Sequence, residues 1–338
     1  MNKYTLVTGG AGYIGSHFLD LFLQQYDNVL ILDNLEHGFL EAVDEIRKRH
    51  PKKQIIFEKV DLRDSHKLGI TLEKYSISAV VHFAALCVVS ESIISPDLYF
   101  DNNVIGSINL LNTMAKLKIE KIIFSSSVAV YGQGQYFPVD EKHPLEPIEP
   151  YGFSKYVVEK MLPWYERCYG IKYVIFHYSN VCGASPDGQL GFSSRYKQNK
   201  LIQDAVKAVV GNYPLHLQYT RVNTFDGSPI RDYVDVLDIA NANLKALEYL
   251  KHNEKSDVFN LGTGKGYSVK QIISKIETVL KVKISFEREP RREGEPAKVY
   301  ASYSKAKRLL GWQPATPLED SICNLANWYR THPKGYSR

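Results

Sequence analysis

Cysteine is scarce and scattered: Cys87, Cys168, Cys182 and Cys323 stand far apart, and no CxxC pair occurs. That argues against a disulfide framework and against a thiolate zinc site, so no metal is expected and a reducing, cytoplasmic location is. An excess of one charge is lacking too. The formal net charge is +5 over 338 residues, and Arg291-Arg292 is only a pair, so no nucleic-acid partner is expected. No apolar run approaches the ~20 residues of a membrane span, so no membrane association is expected either. The chain opens directly on a strand-like run, which leaves no room for a signal peptide. Internal repeats and low-complexity segments are missing. What is present is ample core material: 44% hydrophobic residues, enough for one large or two medium domains.

The chain is organised around its first fifteen residues. Tyr4-Thr5-Leu6-Val7-Thr8 is an apolar, β-branched strand run, followed at once by Gly9-Gly10-Ala11-Gly12-Tyr13-Ile14-Gly15. Phe18, Leu19, Phe22 and Leu23 then recur at helical spacing. Strand, glycine turn and helix form the context of a dinucleotide fingerprint: Gly9 for the tight turn, Gly12 for backbone approach to a pyrophosphate, Gly15 for helix–strand packing. The free N–H groups of the helix start would face the phosphates. A second strand, Val29-Leu30-Ile31-Leu32, ends in Asp33, 18 residues after Gly15. An acid there accepts from the ribose hydroxyls and repels a 2′-phosphate, which favours NAD over NADP.

Further along, strands are expected at 54–60, 79–85, 121–127 and 172–177, and helices at 65–75, 97–117 and 151–169. The alternation implies an α/β fold with a doubly wound parallel Rossmann sheet. Beyond residue 180 the rhythm changes. A polar loop (183–199), a helix (200–210), a short-stranded stretch (216–227), a strand (231–236) and a helix (238–250) precede a strand at 258–262. Ser268 is the expected cap of a helix running to Leu280. Residues 284–338 read as a short strand, an Arg-rich loop and two helical segments. The expected division is a cofactor domain over 1–179, joined by returning segments near 231–262, and a smaller α/β substrate-binding lobe over 180–338. The cleft belongs between them, at the carboxyl ends of the strands.

Tyr151-Gly152-Phe153-Ser154-Lys155 places a phenol and an ammonium one helical turn apart on a common face. A free tyrosine, with a pKa of about 10, is a poor base at neutral pH. A nearby Lys⁺ and a nicotinamide charge would stabilise the phenolate and bring it toward the working range. Ser127 ends a strand 24 residues earlier, where its hydroxyl would bond a substrate oxygen and share a proton with Tyr151. In a chain with 23 tyrosines the Tyr-x-x-x-Lys spacing alone is weak. Behind the fingerprint, and with Ser127 in place, it points to catalysis.

These motifs, with Ser125-Ser126-Ser127-Val128-Ala129-Val130-Tyr131-Gly132, resemble the extended short-chain dehydrogenase/reductase family. His82-Phe83-Ala84-Ala85, Asp101-Asn102-Asn103-Val104, Arg231-Asp232-Tyr233-Val234, Arg291-Arg292-Glu293-Gly294 and His332-Pro333-Lys334-Gly335-Tyr336 narrow it further. The chain is similar to the UDP-glucose 4-epimerase branch along nearly its whole length. The resemblance implies that Tyr13, Ile14 and Asn34 join Gly9, Gly12, Gly15 and Asp33 in holding NAD. It further implies that Asp61 and Leu62 hold the adenine, that Phe83, Ala84 and Ala85 line the cofactor groove, and that Asn102 and Lys155 contact NAD. Asn180, Lys200, Leu201, Arg231, Arg292, Glu295 and Val299 would address the UDP-sugar. Arg231 and Arg292 are also readable as ordinary salt-bridge residues.

This chain departs from the family pattern at several positions. Cys87 stands where Lys is frequent, Ser179 and Gln218 where aromatics are (Tyr219 is adjacent to the second), Lys200 where Asn or His is usual, and Glu295 in place of Asp. The implied activity is reversible inversion at C4 of UDP-glucose and UDP-galactose through a 4-keto sugar, in a homodimer. Leu110, Leu111, Met114 and Leu162 would be partly interfacial or else ordinary core. Val128 and Ala129 stand where dehydratases and decarboxylases carry an acid, and neither exchanges protons. By the resemblance Val299 falls where a large residue would close the space beside the sugar 2-substituent, so N-acetylhexosamine forms are expected substrates; a one-residue slip would put Tyr300 there instead, and Val299 is equally readable as a buried strand residue. The alternatives are a UDP-glucuronate or UDP-pentose 4-epimerase, a net NAD-dependent oxidoreductase, or a silent NAD-binding regulator.

Overall fold

The computed structural model describes residues 3–196, 198–217, 221–252, 255–288 and 296–336. Strands and helices alternate strictly at first: β1 (Lys3–Thr8), α1 (Tyr13–Phe22), β2 (Asn28–Asp33), α2 (Leu40–Arg49), β3 (Gln54–Lys59), α3 (Ser65–Leu72) and β4 (Ser76–His82). Two short helices, α4 (Val89–Ile94) and α5 (Pro96–Tyr99), lead through a π-helical stretch at Phe100–Ile105 into α6 (Gly106–Leu117). β5 (Lys121–Ser127), α7 (Pro150–Tyr169), β6 (Lys172–Tyr178) and β7 (Asn180–Cys182) complete the first half.

The second half holds α8 (Leu201–Gly211), β8 (Leu215–Leu217), β9 (Ile230–Arg231), β10 (Tyr233–Asp235), α9 (Val236–His252) and β11 (Asp257–Leu261). It ends with β12 (Tyr267–Ser268), α10 (Val269–Leu280), β13 (Phe286–Arg288), β14 (Lys298–Val299), α11 (Ser304–Leu310) and α12 (Leu318–Thr331).

Seven strands form one parallel sheet in the order β11-β6-β5-β4-β1-β2-β3. Its central strands are apolar along their length, as a sheet covered on both faces requires. One face packs on α1, α2, α9 and α11 through Phe18, Leu19, Ile46, Ile239 and Leu310. The other packs on α3, α6 and α7 through Leu68, Leu72, Leu111, Met114 and Val158. A separate core, with Ile202, Val206, Ile272, Ile322 and Trp328, joins α8, α10 and α12. The strand order reverses between β1 and β4, and the crevice outside their carboxyl ends is where such sheets receive ligands.

Four expectations need correction. Residues 97–117 are not one regular helix: the π-helical stretch interrupts it. Asn103 there is turned onto the Leu86 backbone, accepting from its N–H (2.8 Å) and donating to its carbonyl (3.0 Å). The stretch 216–227 carries only the end of the three-residue β8 among its described residues. The run 231–236 is split. Asp232 turns inward, accepts from the Thr263 N–H and hydroxyl and from the Gly264 N–H, and so separates β9 from β10, which belong to different sheets. Finally, Leu110, Leu111, Met114 and Leu162 are at most 1% exposed within the single chain, so they are core and unavailable to a partner. The Ser268 cap is present in full, as a capping box with Gln271.

Candidate active site

The glycine turn has the tightness its sequence suggests. Gly9 lies at φ +70°, and a Cβ there would come within 2.6 Å of the Ala84 nitrogen. A Cβ on Gly15 would meet the Gly9 carbonyl oxygen at 2.3 Å. With both glycines, α1 starts close under β1 and β4. Its N-cap, Gly12, offers no side-chain acceptor, and its first turn contains no acid. The N–H groups of that turn are therefore left facing a cleft, which is the arrangement that receives an anion.

Asp33 closes β2 beside them. Its Oδ2 accepts from the Ala11 N–H (3.0 Å) and its Oδ1 from the Leu35 N–H (2.9 Å). Burial pushes its carboxyl above the usual range, and those two N–H groups and the Arg195 charge oppose the shift. A carboxylate held this way has lone pairs left for ribose hydroxyls. Asp61 is occupied differently: Arg63 and the Asn34 amide hold its two oxygens, and Arg63 keeps it well below the usual carboxylate range.

β5 delivers Ser127, and the first turn of α7 delivers Tyr151. Glu149 caps that helix, its Oε1 accepting from the Gly152 N–H (2.9 Å). Lys155 follows one turn later and donates to the Ser125 carbonyl (2.8 Å), its ammonium 5.0 Å above the Phe124 ring. The Ser127 hydroxyl accepts from the Ala129 N–H (3.2 Å) and lines the cleft with Tyr151. Tyr151 is half-buried at the cleft wall, its ring edge-on to Tyr99. Burial raises its pKa well above 10, and Cys87 and Glu149 add to this while Ser127 opposes it. Burial lowers Lys155 to about 8, with Cys87 and Glu159 opposing. In the protein alone desolvation dominates, and the expectation from sequence rests on two charges, Lys155 and a nicotinamide, to bring the phenol into range.

A single cleft of about 470 Å³ unites these groups. At one end lie Gly9, Gly12, Tyr13, Ile14, Gly15, Asp33, Asn34, Asp61 and Leu62. Phe83, Ala84, Ala85, Asn102, Ser127, Tyr151 and Lys155 line its middle, and Asn180, Lys200, Leu201, Arg231 and Val299 the other end. Arg292 and Glu295, like Gln218 and Tyr219, lie outside the described residues. Val299 lines the cleft but is only 5% exposed and packs in a small core with Val130, Val139 and Ala301, while the ring of Tyr300 stacks on Phe137 at 5.0 Å.

Sequence reasoning missed Glu149. It lines the cleft two residues before Tyr151, and burial pushes its carboxyl up to about 7. Its sequence signal was the N-cap position before Pro150. It also missed Glu159, a further turn beyond Lys155, which holds Ser126 and His177 beneath the site. No group of metal-ligating side chains is found among the described residues.

The Gly turn, the acid after β2 and the Ser127, Tyr151, Lys155 trio on a parallel sheet define an extended short-chain dehydrogenase/reductase. A family model described as GDP-mannose 4,6 dehydratase matches residues 6–325. A curated UDP-glucose 4-epimerase from Halalkalibacterium halodurans is 41% identical, the alignment covering 98% of this chain and 97% of that one. The crystal structure of UDP-glucose 4-epimerase from Bifidobacterium longum, in complex with NAD+ and UDP, superposes with a TM-score of 0.93 at 32% identity, covering 99% and 100% of the two chains. The UDP-Glc/GlcNAc 4-epimerase from Campylobacter jejuni gives 0.82 at 36% identity, covering 98% and 100%. The chain belongs to the UDP-glucose 4-epimerase family within that class.

Proposed function

We propose that the protein is an NAD-dependent UDP-hexose 4-epimerase that interconverts UDP-glucose and UDP-galactose. The observation that carries this reading is the continuity of the cleft, which runs from Asp33 past Tyr151 to Arg231. The residues fit NAD: an uncapped helix start for the pyrophosphate, and a carboxylate at the end of β2 for the ribose. NAD, when bound, supplies a cationic ring beside Tyr151 and a reversible acceptor for the C4 hydride. Tyr151 takes the C4 hydroxyl proton, and Ser127 holds the same oxygen and shares that proton. Lys155, fixed on the Ser125 carbonyl, orients the nicotinamide ribose and keeps a positive charge near the phenol.

A sugar that must present both faces has to be held loosely, so affinity must reside in UDP. Asn180, Lys200, Leu201 and Arg231 line that end, and Arg292 and Glu295 are assigned to it from the resemblance. In this reading residues 1–179, with the returning segments near 231–262, hold the cofactor, and 180–338 hold the UDP-sugar. Val128 and Ala129 follow Ser127 along the cleft wall, where elimination chemistry would need an acid. Val299, small and facing the cleft, leaves room for an N-acetyl group; the Campylobacter jejuni relative is a UDP-Glc/GlcNAc epimerase by name.

Homodimerisation would use the exposed Phe100, Ile105, Phe153 and Trp164 on the α6 and α7 side. A cytoplasmic location suits four unpaired thiols, two of them exposed. The test is a panel of UDP-sugars given to purified protein with no added NAD. The reading expects C4-inverted UDP-hexose as product. Inertness toward every UDP-hexose would refute it.

A further inference from the structure

One segment of the substrate half reaches across to the cofactor end. Ser193 and Gln198 to Leu201 line the UDP end of the cleft, but between them Arg195 leaves the cleft and crosses to the loop that follows β2. A single guanidinium nitrogen, Nη1, donates to the carbonyls of Leu35 (2.6 Å), Gly38 (2.8 Å) and, more weakly, Glu36 (3.4 Å). The guanidinium carbon lies 4.4 Å from the centre of the Phe39 ring. The neighbouring Tyr196 ring packs on His37 at 5.1 Å.

Leu35 is the point of leverage. Its φ is +62°, a left-handed backbone that costs an L side chain energy and persists only where the surroundings impose it. Two groups impose it here: Asp33 accepts the Leu35 N–H at 2.9 Å, and Arg195 donates to the Leu35 carbonyl. The Arg195 charge also favours the ionised form of Asp33. The cofactor-end acid is thus held in shape from the far side of the molecule, by the same stretch of chain that lines the UDP end.

We propose that Arg195 is a positioning residue for the dinucleotide: it clasps the Leu35–Gly38 turn, sets Asp33 for the ribose, and couples UDP binding to retention of NAD. This rests on the reading of the cleft as an NAD and UDP-sugar site. Coupling of binding is reciprocal, so the factor by which UDP tightens NAD is the factor by which NAD tightens UDP.

The experiment measures NAD release from the loaded protein, by displacement with excess NADH, with and without UDP. In wild type, UDP should slow release by roughly fivefold or more, the lower end of ordinary coupling. Arg195→Ala should release NAD about tenfold faster, and the UDP effect should shrink to under about twofold. Arg195→Lys should restore part of both, because one nitrogen carries all three carbonyl contacts and an ammonium can replace it; if Arg195→Ala fails to fold, Arg195→Lys against Arg195→Gln gives the same ordering. Release rates and UDP effects equal to wild type in the Ala variant, or in both the Lys and Gln variants, would overturn the clasp, as would a wild type whose NAD release ignores UDP. A wild type that takes up no NAD refutes the functional reading itself.

Discussion

The two ends of the cleft are built by different means. The cofactor end is made of strand termini: β1 into the glycine turn, β2 into Asp33, β4 into Phe83–Ala85, β5 into Ser127. Each group is placed by a parallel ladder buried on both faces. The end proposed for UDP is made of two- and three-residue strands and of loops, with Asn180 on β7, Arg231 on β9, Val299 on β14 and Lys200 at the N-cap of α8. A rigid end suits chemistry that must repeat without error. An end hung on loops suits selection among sugars.

If that contrast is right, substitutions at the first end should change turnover or the hold on cofactor, and those at the second should change affinity and choice of substrate. The largest effect belongs to Tyr151→Phe, which should lower turnover by ~10²–10⁴, the usual worth of a general base, with NAD still bound. Steady-state rates of an NAD-loaded variant check this. Near-normal turnover would remove Tyr151 from the role.

Val299→Tyr should suppress epimerisation of UDP-N-acetylgalactosamine by about 10² while leaving UDP-galactose within severalfold, because a ring there would fill the space beside the 2-substituent. Paired assays decide it, and equal loss on both substrates would make Val299 a packing residue only. Asp33→Ala should weaken NAD by roughly 10–100-fold, the worth of a hydrogen bond to a charged group, and narrow the preference over NADP. Calorimetry with both cofactors tests it; a wild type that binds them equally would contradict the assignment.

Arg231→Ala should weaken UDP by about tenfold, consistent with one charge-assisted bond, and leave NAD untouched. Unchanged UDP affinity would return it to the salt-bridge reading. The smallest effect concerns pH. The Glu149 pKa is raised from 4.5 to about 7 in the folded chain, so its contribution to stability is complete below the unfolded value and is lost as pH rises through about 7. Asp232 and Asp235, each raised to about 6, act in the same direction. Glu149→Gln keeps the acceptor for Gly152 and should recover roughly 1–3 °C of melting temperature above neutrality, with less change in acid. An identical pH profile in the variant would show that the carboxyl is not strained by burial.

The same contrast explains what was readable from sequence. The sheet end announces itself because continuous apolar runs, a glycine spacing and a terminal acid are local patterns. The Tyr151–Lys155 pair was legible because helical periodicity puts i and i+4 together. The split at Asp232 was not, since the partners that turn its side chain inward, Thr263 and Gly264, are some thirty residues away in sequence. The π-helical stretch escaped for a like reason: Asn103 is drawn to Leu86 across the site, and helix propensity carries no trace of that. Arg195 looks like any loop arginine until its three carbonyl acceptors are brought to it. The rise in the Tyr151 pKa comes from desolvation by residues brought together only in the fold, which spacing does not report.

The central claim is that hydrogen leaves C4 and returns to C4 within one closed site. Incubation of the purified protein with UDP-galactose carrying deuterium at C4, without added NAD, tests it most directly. The account predicts UDP-glucose that retains the deuterium at C4, with no free NADH accumulating in the near-ultraviolet. Deuterium lost to solvent, or NADH released in step with an oxidised sugar, would contradict it.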